Sequence, residues 1–221
     1  MILLLGDIHG DTNVLRKAIH KANEAEASAL IQVGDFGMFK KSENSFRLAV
    51  ENATMPVYFI EGNHDDCQRW VQCRDVTRIW EDRNLFYIPR GTVMKLDGRR
   101  FAFMGGAASI DKDVRLREGW HWDEFENIHP AEVLRLFKNA EGKTIDVLIT
   151  HDVPTTVCKA HFDDSGKLWF GVGKDWHDHN MDVIQHIWDE LKLPQIYSGH
   201  MHRSVIGPNY RILDINELLA I

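Results

Sequence analysis

Five apolar runs in this 221-residue chain end in side chains that can hold a divalent cation. After Ile2 to Leu5 comes Gly6-Asp7-Ile8-His9-Gly10. After Ala29 to Val33 comes Gly34-Asp35, and after Val57 to Ile60 come Glu61 and then Gly62-Asn63-His64-Asp65. Asp146 to Ile149 runs into Thr150-His151-Asp152, and Gln195 to Ser198 into Gly199-His200-Met201-His202. In four of the five, glycine stands directly before the polar residue, which permits a tight turn and close backbone approach. Sites in α/β sheets form at the carboxyl ends of strands, so Asp7, His9, Asp35, Asn63, His151, His200 and His202 are aimed at one place. Carboxylate and imidazole donors without thiolate suit manganese, iron, zinc or nickel better than a structural zinc knot. Seven donors exceed one tetrahedral shell, so two ions are the natural count. Two ions about 3.5–4 Å apart would clamp the attacking and leaving oxygens of a phosphoryl transfer and make hydroxide available at neutral pH. His200 and His202, two apart, would share one side of an extended backbone. One Gly-Asp after a strand, or a lone His151, would mean little; five such strand ends in one chain carry the reading.

The elements that must position these residues alternate. Ile2 to Leu5, Ala29 to Val33 and Val57 to Ile60 read as buried strands. Val14, Leu15, Ala18, Ile19 and Ala22 repeat at helical spacing between the first two, and Phe46 to Val50 lies in a second helix. This βαβαβ order predicts a parallel sheet with right-handed crossovers. Leu85 to Ile88, Thr92 to Leu96 and Arg100 to Met104 read as further short strands, with a hairpin turn at Asp97-Gly98. Glu132 to Phe137 and the stripe Val183, Ile184, Ile187, Trp188 and Leu191 read as helices. Asp146 to Ile149 and Gln195 to Ser198 are strands, and a closing hairpin joins Ser204 to Ile206 with Arg211 to Leu213. Residues 107–130 and 154–177 show no clear periodicity, and loops of that length in a compact domain are usually functional.

Composition excludes several classes. The length suits one α/β domain, residues 1–221, and 44% hydrophobic residues rule out wholesale disorder. A net charge of −7 gives no diffuse basic field of the kind a non-specific nucleic-acid coat needs. Cys67, Cys73 and Cys158 are too few for a disulfide framework and read as free thiols in a reducing, cytoplasmic setting. The apolar start is too short for a signal peptide, and no stretch is long enough to span a bilayer.

The strand-end motifs resemble those of the calcineurin-like metallophosphoesterases, from Gly6-Asp7-Ile8-His9 to Gly199-His200-Met201-His202. The resemblance implies an α/β fold, a four-layer αββα sandwich of two mixed β-sheets flanked by helices. It implies one metal on Asp7, His9, Asp35 and His202, and a second on Asp35, Asn63, His151 and His200, with Asp35 bridging. Manganese is the expected ion. A metal-bridging hydroxide would attack phosphorus in line, and His64 would protonate the leaving alkoxide or stabilise the phosphoryl oxygens. The chain departs from the Ser/Thr protein phosphatases of this family. Met38 stands where an Asp would support the catalytic histidine, and Phe39 where a phosphate-binding Arg would be. His64 then lacks its carboxylate; Asp65 and Asp66 are the candidates to replace it.

The stretch from Gly105-Gly106-Ala107-Ala108-Ser109 to Lys112 looks like one found in small bacterial and phage metallophosphoesterases. Arg115 is the candidate to bind a non-bridging phosphate oxygen, with Arg117 as the alternative. Trp120 and Trp122 offer faces for a nucleobase or pin the loop. His161, Trp169, Trp176, His177 and His179, with Gly166, Gly171 and Gly173, mark a second loop that would serve as a lid, as an oligomer contact or as ordinary packing. His20, His121, His129 and His186 read as ordinary surface or core histidines. The expected activity is hydrolysis of a small phosphodiester such as a cyclic nucleotide. Phosphomonoesterase or protein phosphatase action is the alternative, a nuclease is less favoured, and a non-catalytic scaffold is least. The expected partner is a small phosphoester or nucleotide, with no membrane.

Overall fold

The computed structural model describes residues 1–162 and 178–221. In chain order its strands are β1 (Ile2–Leu5), β2 (Ala29–Gln32), β3 (Val57–Phe59), β4 (Thr77–Arg78), β5 (Leu85–Tyr87), β6 (Thr92–Leu96), β7 (Arg99–Met104), β8 (Val147–Thr150), β9 (Ile196–Ser198), β10 (Val205–Ile206), β11 (Tyr210–Ile212) and β12 (Leu218–Ala220). The α-helices are α1 (Thr12–Glu24), α2 (Glu43–Ala49), α3 (Cys67–Trp70), α4 (Lys112–Glu118), α5 (Pro130–Ala140), α6 (Thr155–His161) and α7 (His179–Leu191). Trp169, Trp176, His177 and the three glycines of the second loop lie outside the described residues.

Two six-stranded sheets result, ordered β12-β1-β2-β3-β5-β4 and β10-β11-β9-β8-β7-β6. Each holds four parallel strands flanked by one antiparallel strand on each edge, so both are mixed. The alternation of side chains explains the layers. Ile2 and Leu4 of β1 and Ile31 of β2 pack against Phe101 and Phe103 of β7 and Ile149 of β8, forming the core between the sheets. Leu3 and Leu5, on the other face, meet Leu15 and Ile19 of α1 and Phe46 of α2. Ala102, Met104 and Leu148 meet Leu136 of α5 and Ile184 and Ile187 of α7. A strand covered on both faces needs apolar residues at every position, which is why these runs do not alternate. The fold is the four-layer αββα sandwich, an α/β arrangement.

Local chemistry sets the element ends. Asp11 caps α1 by accepting the N–H groups of Asn13 and Val14 at 2.9 and 3.2 Å. His129 and Glu132 form a reciprocal cap at the start of α5, with Pro130 in its first turn. Asp97 and Gly98 both take positive φ, 47° and 80°, closing the β6–β7 hairpin as the sequence predicts. The aperiodic stretch 107–130 does contain structure: α4, ended by Gly119 at φ 67°, and a 3-10 turn at Glu124–Glu126. Both are too short to show a period. Likewise α6 opens the second aperiodic stretch, and β12 adds antiparallel to β1 through only three residues. No described helix is long and apolar enough to cross a membrane.

Arg90 braces the sheets behind the strand ends. It is 2% exposed, with Nε 2.5 Å from Glu61 Oε1 and Nη1 3.1 Å from Glu132 Oε2 on α5. Its remaining N–H groups donate to the carbonyls of Phe125, Glu126 and Asn127, while Tyr87 donates its hydroxyl to Glu61 at 2.9 Å. Truncating one member of such a pair leaves a buried charge without a partner. Arg90→Ala is therefore expected to lower unfolding stability by about 3–5 kcal/mol, read from urea denaturation midpoints at unchanged slope. A loss below about 1 kcal/mol would show that the network is not a brace.

Candidate metal centre

Both sheets point their parallel strands' carboxyl ends to one edge. β1, β2 and β3 deliver Asp7 and His9, Asp35, and Asn63 with His64; β8 and β9 deliver His151, and His200 with His202. Backbone bonds lace the five loops together. Asp35's carbonyl accepts the N–H groups of Ile8 and His9 at 3.2 and 2.9 Å, and Gly199 donates to His151's carbonyl at 3.0 Å. Asp65 spends its carboxylate on the N–H groups of Phe36, Gly37 and Gly62, at 3.1, 2.6 and 2.8 Å.

Donor atoms from these strand ends come close together. One donor atom from each of Asp7, His9, Asp35 and His202 lies within 4.8 Å of the others. His202 Nε2 is 3.3 Å from Asp7 Oδ2, and His9 Nε2 is 3.0 Å from His202 Nε2. On the other side of Asp35, His151 Nε2 stands 3.3 Å from Asp35 Oδ1 and 3.3 Å from Asn63 Oδ1, and the rings of His151 and His200 meet at 5.0 Å. Asp35 thus faces both groups, with Oδ2 3.7 Å from His9 Nδ1.

Two local features make this closeness possible. A Cβ on Gly62 would collide with both Asp35 Oδ1 and His151 Nε2, so only glycine lets that loop pass. His9, Asp35, His200 and His202 all have positive φ, at 44°, 55°, 66° and 46°. The expectation that His200 and His202 share a side of an extended backbone is therefore corrected: the chain curls through two left-handed residues after β9. His202 consequently reaches Asp7 while His200 packs on His151. Left-handed backbone of this kind in non-glycine residues concentrates at functional sites.

Electrostatics follow from burial. Asp35 is 1% exposed, and burial alone would raise its pKa; His151, His64 and His9 nevertheless hold it well below the usual carboxylate range. Burial disfavours charge on His151, but the Asp35 and Asp7 carboxylates push it up to about 10. Burial and then the neighbouring His151 push His200 down to about 3. Without an ion, His151 therefore supplies the positive charge that Asp35 requires. Asp35 Oδ2 is buried with no hydrogen-bond donor. Buried acceptors that lack donors and face neutral or displaceable imidazoles form the donor set a divalent cation takes.

Residues 1–204 match the family described as Calcineurin-like phosphoesterase. The chain belongs to that family. Among solved structures 38 chains match, one of them with a TM-score of 0.55 at 12% identity, over 96% of this chain and 89% of the other. A likeness at that identity speaks to the fold alone. No curated protein matches at a significant level.

Within this calcineurin-like phosphoesterase, the remaining predicted residues fall as follows. His64 is half-buried beside His9, with ring centroids 4.9 Å apart, and its N–H donates to Asp35 Oδ1 at 2.7 Å. Neither Asp65 nor Asp66 hydrogen-bonds its imidazole: Asp65 ties the loops, and Asp66 opens α3. Arg115, only 4% exposed, is the residue laid against His64, with Nη2 2.6 Å from Nε2 and 2.8 Å from Nδ1. A neutral imidazole has one accepting nitrogen and the two ring nitrogens point apart, so this is a single close contact between the two groups. Arg115 Nε is held by Asp111 at 2.8 Å. Burial lowers the His64 pKa, Asp35 opposes it and Arg115 adds to it. Met38 is fully buried in the core, and Phe39 sits edge-on to His121 at 5.4 Å. Arg117 is an exposed partner of Glu118, Trp120 is exposed, and Trp122 is pinned by Glu126 and Lys112. Of the ordinary histidines, His20 pairs with Glu24 and His186 meets Phe137 edge-on. His161 bonds Tyr210.

Sequence reasoning missed the work of Asp65, Asp111 and Glu126. Asp65 carried a signal, since it closes the Gly62-Asn63-His64-Asp65 motif. Glu126 lies in an aperiodic stretch and carried none.

Loading a divalent ion must expel the proton on His151. Apparent Mn²⁺ affinity is therefore expected to rise by at least about tenfold per pH unit between about pH 6 and 8, with about one proton released from His151 on loading and a further fraction from His202, whose pKa Asp7 also raises. Calorimetry in buffers of different ionisation enthalpy reads both quantities, and an affinity independent of pH would show that His151 is not displaced.

Proposed function

We propose that the chain is a phosphodiesterase that uses two divalent ions, manganese first, on a cyclic nucleotide or another small diester. The two positions follow the donor atoms: Asp7, His9, Asp35 and His202 for one ion, and Asp35, Asn63, His151 and His200 for the other. When bound, the ions supply an activated water and positive charge against the phosphoryl oxygens. The protein's own side chains do the rest. His64, fixed by its backbone N–H on Asp35, presents an imidazole N–H to the leaving oxygen and stabilises, through that hydrogen bond, the negative charge that develops there. Arg115 offers Nη2 to a non-bridging oxygen beside it. Asp111 holds that guanidinium in place.

The observation that carries the diester preference is that the cation laid against His64 is not free. A monoester carries close to two negative charges at neutral pH, a diester one. Arg115 is already paired with Asp111, and the position of a second arginine is filled by Phe39, edge-on to His121. An apolar rim of Phe39, His121 and exposed Trp120 suits a substrate with an organic group on both sides of phosphorus.

With Mn²⁺, the wild-type protein is expected to hydrolyse bis-p-nitrophenyl phosphate and a cyclic nucleotide faster than p-nitrophenyl phosphate. Asp35→Ala should be inactive. His64→Ala should keep its ions yet lose about 10²–10⁴-fold in kcat on alkyl diesters, and less on nitrophenyl diesters, whose leaving group needs less stabilisation. Preference for monoesters would sink the diester reading in favour of a phosphomonoesterase. No turnover of any ester would sink both.

A further inference from the structure

The side chain of Asn63 is a primary amide whose oxygen and nitrogen ends are nearly the same shape. Only the oxygen can bind a cation, so something must decide which end faces the site. The structure shows a chain of hydrogen bonds with one direction. Asn63 Nδ2 lies 3.2 Å from Ser109 Oγ, and Ser109 Oγ lies 2.6 Å from Glu126 Oε2. Glu126 Oε1 accepts two further donors, the N–H of Ser109 at 2.8 Å and Nε1 of Trp122 at 3.0 Å. Asn63, Ser109 and Glu126 are 5%, 6% and 2% exposed, so water does not compete.

The polarity follows from counting protons. Every neighbour of the Glu126 carboxylate is a donor, so the ionised, acceptor-only form fits. The single Ser109 hydroxyl proton therefore goes to Glu126. The oxygen can then only accept from Asn63, which must turn its NH₂ inward and Oδ1 toward His151, 3.3 Å away. Arg90 fixes the far end, because it binds the carbonyls of Phe125, Glu126 and Asn127.

We propose that Ser109 and Glu126 are positioning residues that lock the Asn63 amide with its oxygen toward the second metal position. The proposal rests on the two-ion reading above. It also gives the acid its part: a serine alone could either donate to the amide oxygen or accept from its NH₂.

The decisive variant is Glu126→Gln, which changes polarity at nearly constant volume. Its oxygen takes the two N–H donors, and its NH₂ then faces Ser109 Oγ. The hydroxyl proton is released toward Asn63, and the amide turns over to present NH₂ to the ion. Mn²⁺ binding to the whole protein, read by electron paramagnetic resonance titration, is expected to show one ion bound as in wild type and the other weakened by about 10–100-fold. Asn63→Asp in the same background, a ligand with no wrong end, is expected to restore the second ion. Ser109→Ala should weaken the same ion with little change in melting temperature. Glu126→Gln and Ser109→Ala that both bind two ions as tightly as wild type would overturn the proposal and leave the two-ion reading standing. Equal loss of both ions together with a lowered melting temperature would also overturn it, as a merely structural effect. Wild type that binds fewer than two ions would instead overturn the reading on which it rests, and the proposal with it.

Discussion

Asp35 is a carboxylate taken out of water where two sheets meet, and burial of that kind costs several kcal/mol unless cations or donors replace the water. Its surroundings answer that cost from several directions. His151 comes from the second sheet, His9 from the first loop, and the backbone N–H of His64 from the third. The same residue's carbonyl holds the N–H groups of Ile8 and His9, which fixes the loop bearing Asp7. Three of the five strand ends are therefore registered on this residue, and the fourth supplies its counter-charge. The surroundings of Asp35 are built for an anion. A hydrophobic residue there would leave His151 with no carboxylate at hand but Asp7, while an amide would offer one acceptor oxygen in place of two.

Much of this was legible in the sequence, for a physical reason. A parallel strand buried on both faces must be apolar throughout, so its end is marked by the first polar residue. The runs ending at Leu5, Val33, Ile60 and Ile149 each stop two or three residues before a candidate ligand, and the glycines flag where two loops come too close for a Cβ. What the sequence did not show depends on contacts between segments far apart. Two residues of pairing make β4, three make β12, and neither length has a period to detect. The left-handed turns at His200 and His202 leave no mark, because histidine carries no compositional signal for positive φ comparable to that of glycine. Glu126 matters only because Arg90, thirty-odd positions away, pulls its loop against Ser109.

The departure from the protein phosphatases has a structural consequence. Where those enzymes set a carboxylate on the catalytic histidine, this chain buries Met38 in its core and lays Arg115 against His64. A carboxylate would favour imidazolium; a guanidinium disfavours it, in the same direction as burial. His64 is thus suited to donate a hydrogen bond as a neutral ring, its charge state set by partners different from those that its motif suggests. The neighbouring Asp111–Arg115 pair keeps the guanidinium from swinging away, so the arginine and the histidine act on the same small volume.

Backbone strain and donor placement are two sides of one constraint. Four of the seven candidate ligands occupy left-handed conformations, each costing about 1 kcal/mol for a residue with a Cβ. Relaxing any one would rotate its side chain off the shared centre. The lacing of loop to loop prevents this: Asp65 draws together the segments carrying Asp35 and Asn63, and Asp7 accepts the N–H of His200 at 3.1 Å. Asp65 does this with both carboxylate oxygens, which between them accept three N–H groups. Asp7 both ties a loop and stands among the ligands, whereas Asp65 only ties. The acidic residues at this edge therefore divide between holding a cation and holding the backbone that presents it, and the division follows from which oxygens the N–H groups leave free.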